Sequence, residues 1–220
     1  MIEVRPLQPS DTRLSAALHQ EVLGMEFLAR FGTGFLSAYH RVWADSPSGL
    51  ALGAFADDGQ MVGVILASLD PPSHYRWMLT HGGAALAGRM VLAAGRRPAL
   101  ARDLIVTRGL RYSRALWRQL TKKAVAAVPT VEPRRGEITH LMVGSAARGT
   151  GAGRALVAET ERRAAAAGVA EIELVTPPDF EARQFYRHLG WVETGTVMSR
   201  SGEEFVRFRR PLVPDDGGDR

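Results

Sequence analysis

Arg148-Gly149-Thr150-Gly151-Ala152-Gly153 places three glycines within five positions. The stretch lies between a strand-like run, Ile138 to Val143, and a helix-like run, Arg154 to Ala167. A simple turn does not need so many glycines. A glycine-rich loop can aim several backbone N–H groups at one point, and the following helix adds the positive end of its dipole. The chemistry on offer is the holding of a phosphate. Two familiar nucleotide loops do not fit. A P-loop requires a lysine after its last glycine, and Thr150 follows Gly149. A dinucleotide fingerprint beginning at Gly149 and Gly151 requires a glycine where Arg154 stands.

Other chemistries are narrowed by composition. The chain has no cysteine, which excludes disulfides, thiolate nucleophiles and thiolate-bound metals. Its six histidines, His19, His40, His74, His81, His140 and His188, form no H-x-H or H-x-x-x-H pair, so no metal is expected. Met1-Ile2-Glu3-Val4-Arg5 alternates like a strand rather than opening like a signal peptide. The longest apolar run, Ala84 to Gly95, is interrupted by Arg89 and is too short to span a bilayer. The expectation is a soluble, cytoplasmic protein.

The elements that must position the loop follow from periodicity. Ile2 to Pro6 reads as a strand, and Ser10 or Asp11 can cap a helix to Leu23. Phe27 to Trp43 reads as a second helix, weakened by Gly32 and Gly34. Leu50 to Phe55 and Met61 to Leu69 form a hairpin over Asp57-Asp58-Gly59-Gln60. Helices are predicted over Ala84 to Ala94, from Pro98 to Thr107, and over Arg111 to Val128. Glu137 to Val143 is a strand, the next helix ends at Gly168, and Val169 to Thr176 is a strand again. Asp179 caps a short helix to Leu189, and Trp191 to Met198 with Glu203 to Leu212 make a terminal hairpin. The expected organisation is one domain over residues 1–212, a helical insertion over about 73–130, and a disordered tail over 213–220.

Arg148-x-x-Gly151-x-Gly153, together with Leu141-Met142-Val143 before it and Phe185-Tyr186-Arg187-His188-Leu189-Gly190-Trp191 after it, resembles the GCN5-related N-acetyltransferase (GNAT) superfamily. The resemblance is specific over about Glu137 to Trp191 and does not cover the insertion. It implies an α/β (α+β) fold with a mixed, mostly antiparallel, splayed sheet flanked by helices, the insertion preceding the catalytic strand. It implies acetyl-CoA as co-substrate, with the pantetheine arm along Leu141, Met142 and Val143. The pyrophosphate is then held by Arg148, Gly149, Thr150, Gly151, Ala152, Gly153 and Arg154, and Asp179 stands where many members place an asparagine that contacts the pantetheine.

The implied reaction is direct attack of an amine on the thioester, giving an acyltransferase. Glu137, eleven residues before Arg148, is the candidate base by resemblance to the histone-acetylating branch. His140 is the other candidate, on the opposite face of the same strand. Arg134 and Arg135 instead offer Glu137 an ion pair. Tyr186 occupies the family's position for the acid that serves the leaving thiolate, and a core tyrosine is its alternative. A backbone N–H near Val143 would polarise the carbonyl.

The segment from Pro71 to Arg135 carries 11 Arg and 2 Lys against Asp103 and Glu132, or 13 − 2 = +11. The remaining chain sums to 15 − 21 = −6. With Tyr75, Trp77, Tyr112 and Trp117, this segment is expected to wall an acceptor pocket; Arg111, Arg114 and Arg118 would meet an anionic or sugar-like amine. Protein lysines and N-termini are the alternative acceptors, and a non-catalytic acyl-CoA-binding module is the alternative role. Nucleic acid is not favoured, and the C-terminal hairpin offers an edge for homodimer pairing.

Overall fold

The computed structural model describes residues 1–103, 133–178, 180–199 and 202–212. The predicted helix Arg111 to Val128, its arginines, Tyr112 and Trp117, together with Asp179 and the tail, lie outside the described residues.

Seven described strands form one sheet. In chain order they are β1 (Glu3–Pro6), β2 (Gly49–Phe55), β3 (Met61–Ser68), β4 (Arg135–Val143), β5 (Glu171–Thr176), β6 (Val192–Met198) and β7 (Glu204–Pro211). Their order across the sheet is β1-β2-β3-β4-β5-β7-β6. Every pairing is antiparallel except that of β4 with β5. This is the mixed, mostly antiparallel α/β sheet expected from the sequence.

One face carries α1 (Thr12–Val22), α2 (Thr33–Asp45) and α4 (Gly83–Gly95), which bury Leu36, Trp43, Val64, Leu66 and Met142. The other carries α6 (Ala152–Ala166) and α7 (Phe180–His188), over a core of Leu52, Ile65, Leu156, Ile172, Tyr186 and Phe208. The strand periodicity explains the division: on β5, Ile172 and Leu174 are buried while Glu171 and Glu173 are half-buried on the opposite side. Leu156 is fully buried, and its Cδ1 packs so close over Gly63 that a Cβ there would meet it at 2.9 Å. Leu156→Ala is therefore expected to cost about 2–5 kcal/mol. Urea unfolding at constant slope measures it, and a cost below about 1 kcal/mol would contradict this packing.

Three local departures from the sequence expectation have identifiable causes. The expected helix Phe27 to Trp43 is broken at Gly32, whose φ of 88° no helix accommodates; a 3-10 turn, Ala29–Phe31, precedes it and α2 follows it. Asp11 does not cap α1. Its carboxylate accepts the Gln8 N–H at 2.8 Å and the Arg5 guanidinium at 2.6 Å, which holds it below the usual carboxylate range, the Arg5 hydrogen bond being the main cause. Third, a helix unmarked by periodicity, α3 (Pro71–Trp77), precedes α4. Asp70 caps it by accepting the Ser73 N–H, and Pro71 and Pro72 occupy its first turn, where no donor is needed. A π-helical turn, Met78–Gly82, joins it to α4, and α5 (Pro98–Asp103) follows.

Candidate active site

β4 and β5 pair only from Arg135↔Glu171 to Ile138↔Leu174. Beyond that point β4 continues to Val143, while β5 ends at Thr176 still paired with β7. The strands therefore part, and the free edge of β4 forms one wall of a gap. The Gly144 N–H bonds the Val62 carbonyl of β3 at 3.0 Å. Amides alternate between the two edges of an extended strand, so the N–H and C=O groups of Leu141 and Val143 turn toward the gap. Met142 faces the opposite way in side chain as well, fully buried under α1 and α2. An unpaired edge of this kind accepts an extended ligand much as it would a strand.

The glycine loop closes the end of that wall. Ser145–Ala147 forms a 3-10 turn, and Gly149 and Gly151 follow with φ of 78° and 91°. These left-handed values let the chain reverse into α6, and side chains with a Cβ adopt them only at a cost. The Arg148 and Thr150 N–H groups turn back to Ser145 and Ala147, at 3.4 and 3.3 Å. The first bond into α6 runs from the Ala155 N–H to the Gly151 carbonyl at 2.9 Å. The N–H groups of Ala152, Gly153 and Arg154 thus lie at the helix start without an intrahelical partner. A Cβ on Gly153 would stand 3.3 Å from the Phe185 ring and 3.5 Å from Val143, so glycine lets the loop, β4 and α7 meet closely. Exposed Arg148 stands 3.7 Å from Glu181 on α7. A phosphate fits this donor set in charge and in geometry.

Across the gap, the Phe185–Trp191 motif is the end of α7. Gly190, at φ 78°, donates its N–H to Arg187, and the Trp191 N–H returns to the Tyr186 carbonyl at 3.0 Å, a Schellman closure. The reversal folds Trp191 back so that its ring centroid lies 5.7 Å from that of Tyr186. Trp191 Nε1–H is held by Glu161 of α6 at 2.8 Å, and burial pushes the Glu161 carboxyl up. Tyr186 also packs on Phe208, with centroids 5.7 Å apart, and is 6% exposed. Burial raises its phenol well above its ordinary value, which keeps the hydroxyl protonated.

Glu137 and His140 lie on the same sheet face, not on opposite ones. Leu66 of β3 pairs with His140 but Ala67 pairs with Ile138, so Thr139 is an extra residue in β4, a β-bulge. The bulge resets the alternation. His140 contacts the rings of His19 and Tyr39, while Glu137 receives the Tyr75 hydroxyl of α3 at 3.4 Å. Burial pushes the Glu137 carboxyl up, reinforced by Glu173 alongside and opposed by Tyr75 and His140. The two neighbouring arginines do not neutralise it. Arg135 pairs with Glu171 at 3.0 Å, and Arg134 donates to the Ala167 carbonyl at 2.9 Å.

The same face holds a polar cluster that residue spacing does not show. His19 of α1, His40 of α2 and His140 of β4 converge beneath Glu26. Each stands alone in its own element, so no local pattern announces the group. The readable signal was a histidine on the apolar stripe of each helix.

Residues 108–212 match the family model for the acetyltransferase (GNAT) domain. No curated protein matches the sequence. Solved structures share the fold at low identity. One, a putative GNAT acetyltransferase from Desulfovibrio desulfuricans, is 13% identical with a TM-score of 0.56, covering 97% of this chain and 100% of its own. Escherichia coli ribosomal-protein-S18-alanine N-acetyltransferase is 11% identical with a TM-score of 0.55, covering 97% and 95%. The PaiA N-acetyltransferase of Thermoplasma acidophilum, in complex with coenzyme A, is 14% identical with a TM-score of 0.52, covering 96% and 99%.

Proposed function

We propose that this chain, whose residues 108–212 match the acetyltransferase (GNAT) domain, moves an acetyl group from acetyl-CoA to the primary amine of a small molecule. The observation that carries this reading is the meeting of three features at one place. The unpaired edge of β4 and the glycine loop at its end meet at one gap, and Phe185 of α7 packs against Gly153 of that loop. The loop N–H groups of Gly149 and of Gly151 to Arg154 hold the pyrophosphate, flanked by Arg148. The pantetheine arm extends along Leu141, Met142 and Val143, and Asp179 is placed on it by sequence alone.

The amine arrives as an ammonium and must lose a proton first. Glu137 receives that proton, directly or through one water; His140 on the same face is the alternative acceptor. The amine nitrogen then attacks the thioester carbonyl carbon. A C–N bond forms, the C–S bond breaks, and sulfur leaves with the electron pair. The Tyr186 hydroxyl gives the sulfur its proton, and the second proton shed by the acylated nitrogen returns through water to the tyrosine, leaving a neutral amide and a free thiol. The Val143 N–H, turned into the gap, stabilises the developing oxyanion.

A small acceptor is favoured because α3 closes the approach to Glu137: Tyr75 lies directly on its carboxylate. Exposed Arg76, next to Tyr75 in α3, supports an anionic acceptor. A panel of small amines set against N-terminal and lysine peptides, followed by thiol release, tests the choice. Turnover of peptides alone would replace small amines by protein acceptors. Val192 and Met198, exposed on edge strand β6, support pairing of two copies along that edge, which sedimentation tests. Among the described residues, no helix is long and apolar enough to cross a membrane.

Glu137→Gln is expected to lower kcat/KM by about 10²-fold, the usual contribution of a positioned base. The pH dependence has a definite sign. A base must be ionised, so activity rises with pH as Glu137 loses its proton. The groups facing it are Tyr75 from α3, Glu173 from β5 and His140 from β4. Their sum with burial moves that rise above the ordinary glutamate value of 4.5. The glutamine variant should lose this acid limb; an unchanged profile would move the base to another residue.

A further inference from the structure

The cluster beneath Glu26 has the composition and spacing of a metal site. His19 and His40 are fully buried, and His140 is 8% exposed. The Glu26 Oε2 lies 3.8 Å from His19 Nε2 and 3.5 Å from His140 Nε2. One ligand atom from each of the three residues lies within 4.8 Å of the others. The His19 Nε2 is buried without a hydrogen-bond partner and faces the carboxylate.

These separations are informative. A charged hydrogen bond between imidazolium and carboxylate draws nitrogen and oxygen to about 2.7–2.9 Å. Two ligand atoms on one tetrahedral ion, with bonds of about 2.0–2.1 Å, stand about 3.3–3.5 Å apart. The His140 contact at 3.5 Å matches that ligand spacing, and the His19 contact at 3.8 Å is longer than either value. An outer shell is built around His19. His19 Nδ1 is 2.9 Å from His40 Nε2, and His40 Nδ1 is 2.8 Å from Ser15 Oγ, which reaches the Thr12 carbonyl at 3.1 Å. A second polar group that fixes the ring of a ligand histidine is the usual support of such a site.

We propose that His19 Nε2, His140 Nε2 and the Glu26 carboxylate bind one divalent transition-metal ion of the zinc class. Two imidazoles and one carboxylate suit zinc, cobalt or nickel better than magnesium or calcium, which prefer all-oxygen shells. Glu26 is half-exposed, so the ion enters from its side and a fourth position remains there for water. The ion ties the connection between α1 and α2 to the bulged part of β4. This inference does not rest on acetyl transfer.

The test uses the full chain, stripped with chelator and titrated with zinc chloride by calorimetry and with cobalt(II) by visible absorption. One ion per chain is expected, with the strong ligand-field bands of a four-coordinate cobalt site. Glu26→Gln and His140→Ala should each weaken zinc binding by at least about tenfold to hundredfold. His81→Ala, an exposed histidine outside the cluster, should not change it. Glu26→Gln keeps size and alters a partly exposed side chain, so it serves even where a buried histidine variant fails to fold. Absence of stoichiometric binding would overturn the site, as would binding that is indifferent to Glu26→Gln and His140→Ala.

Discussion

Gly151→Val is expected to raise the acetyl-CoA dissociation constant by about a hundredfold while leaving the sheet intact. The position holds φ at 91° in open space, so the penalty is one of backbone conformation and not of collision. A β-branched residue forced into that region costs of order 1–3 kcal/mol, and the chain escapes by re-aiming the loop. Each N–H turned away from a phosphate oxygen removes a charge-assisted bond of about 1.5–3 kcal/mol. About 2.7 kcal/mol, or a factor of a hundred, is the expected sum once part of the strain relaxes. Calorimetric titration measures it, with the melting temperature as the control for folding. Affinity unchanged in a folded Gly151→Val protein would place the pyrophosphate elsewhere.

Tyr186→Phe separates catalysis from binding. The ring stays packed between Trp191 and Phe208, so the variant retains its core contacts. Only the hydroxyl is lost. If that group serves the departing thiolate, kcat falls by about 10²-fold or more, the range for a positioned acid, while acetyl-CoA binds as before. An unaltered kcat would make Tyr186 a core tyrosine. A wild-type chain that binds acetyl-CoA and acetylates no amine would instead be a binding module.

Elements with strong periodicity or punctuation were readable from residue order. The Asp57-Asp58-Gly59-Gln60 hairpin, the alternation of Ile172 and Leu174, and the glycine that closes α6 all appear as expected. The loop at Gly149 to Gly153 was readable because three glycines at alternate positions serve backbone approach, which few other needs explain. The bulge at Thr139 was not readable. An extra residue changes which side chains share a face but leaves no composition mark, so Glu137 and His140 were expected on opposite faces. Convergence of His19, His40 and His140 was hidden for a related reason: their proximity exists only after α1, α2 and β4 have packed. Helix α3 did carry a signal, Asp70 before two prolines with Ser73 following, but its seven residues are too few for a periodic stripe.

The most direct test of the glycine-loop assignment compares acetyl-CoA with S-acetylpantetheine, which keeps the thioester and the arm but has no diphosphate. Calorimetry at matched salt should show one acetyl-CoA per chain, bound orders of magnitude more tightly than the truncated thioester. Equal affinity for the two, or no heat with acetyl-CoA, would contradict it.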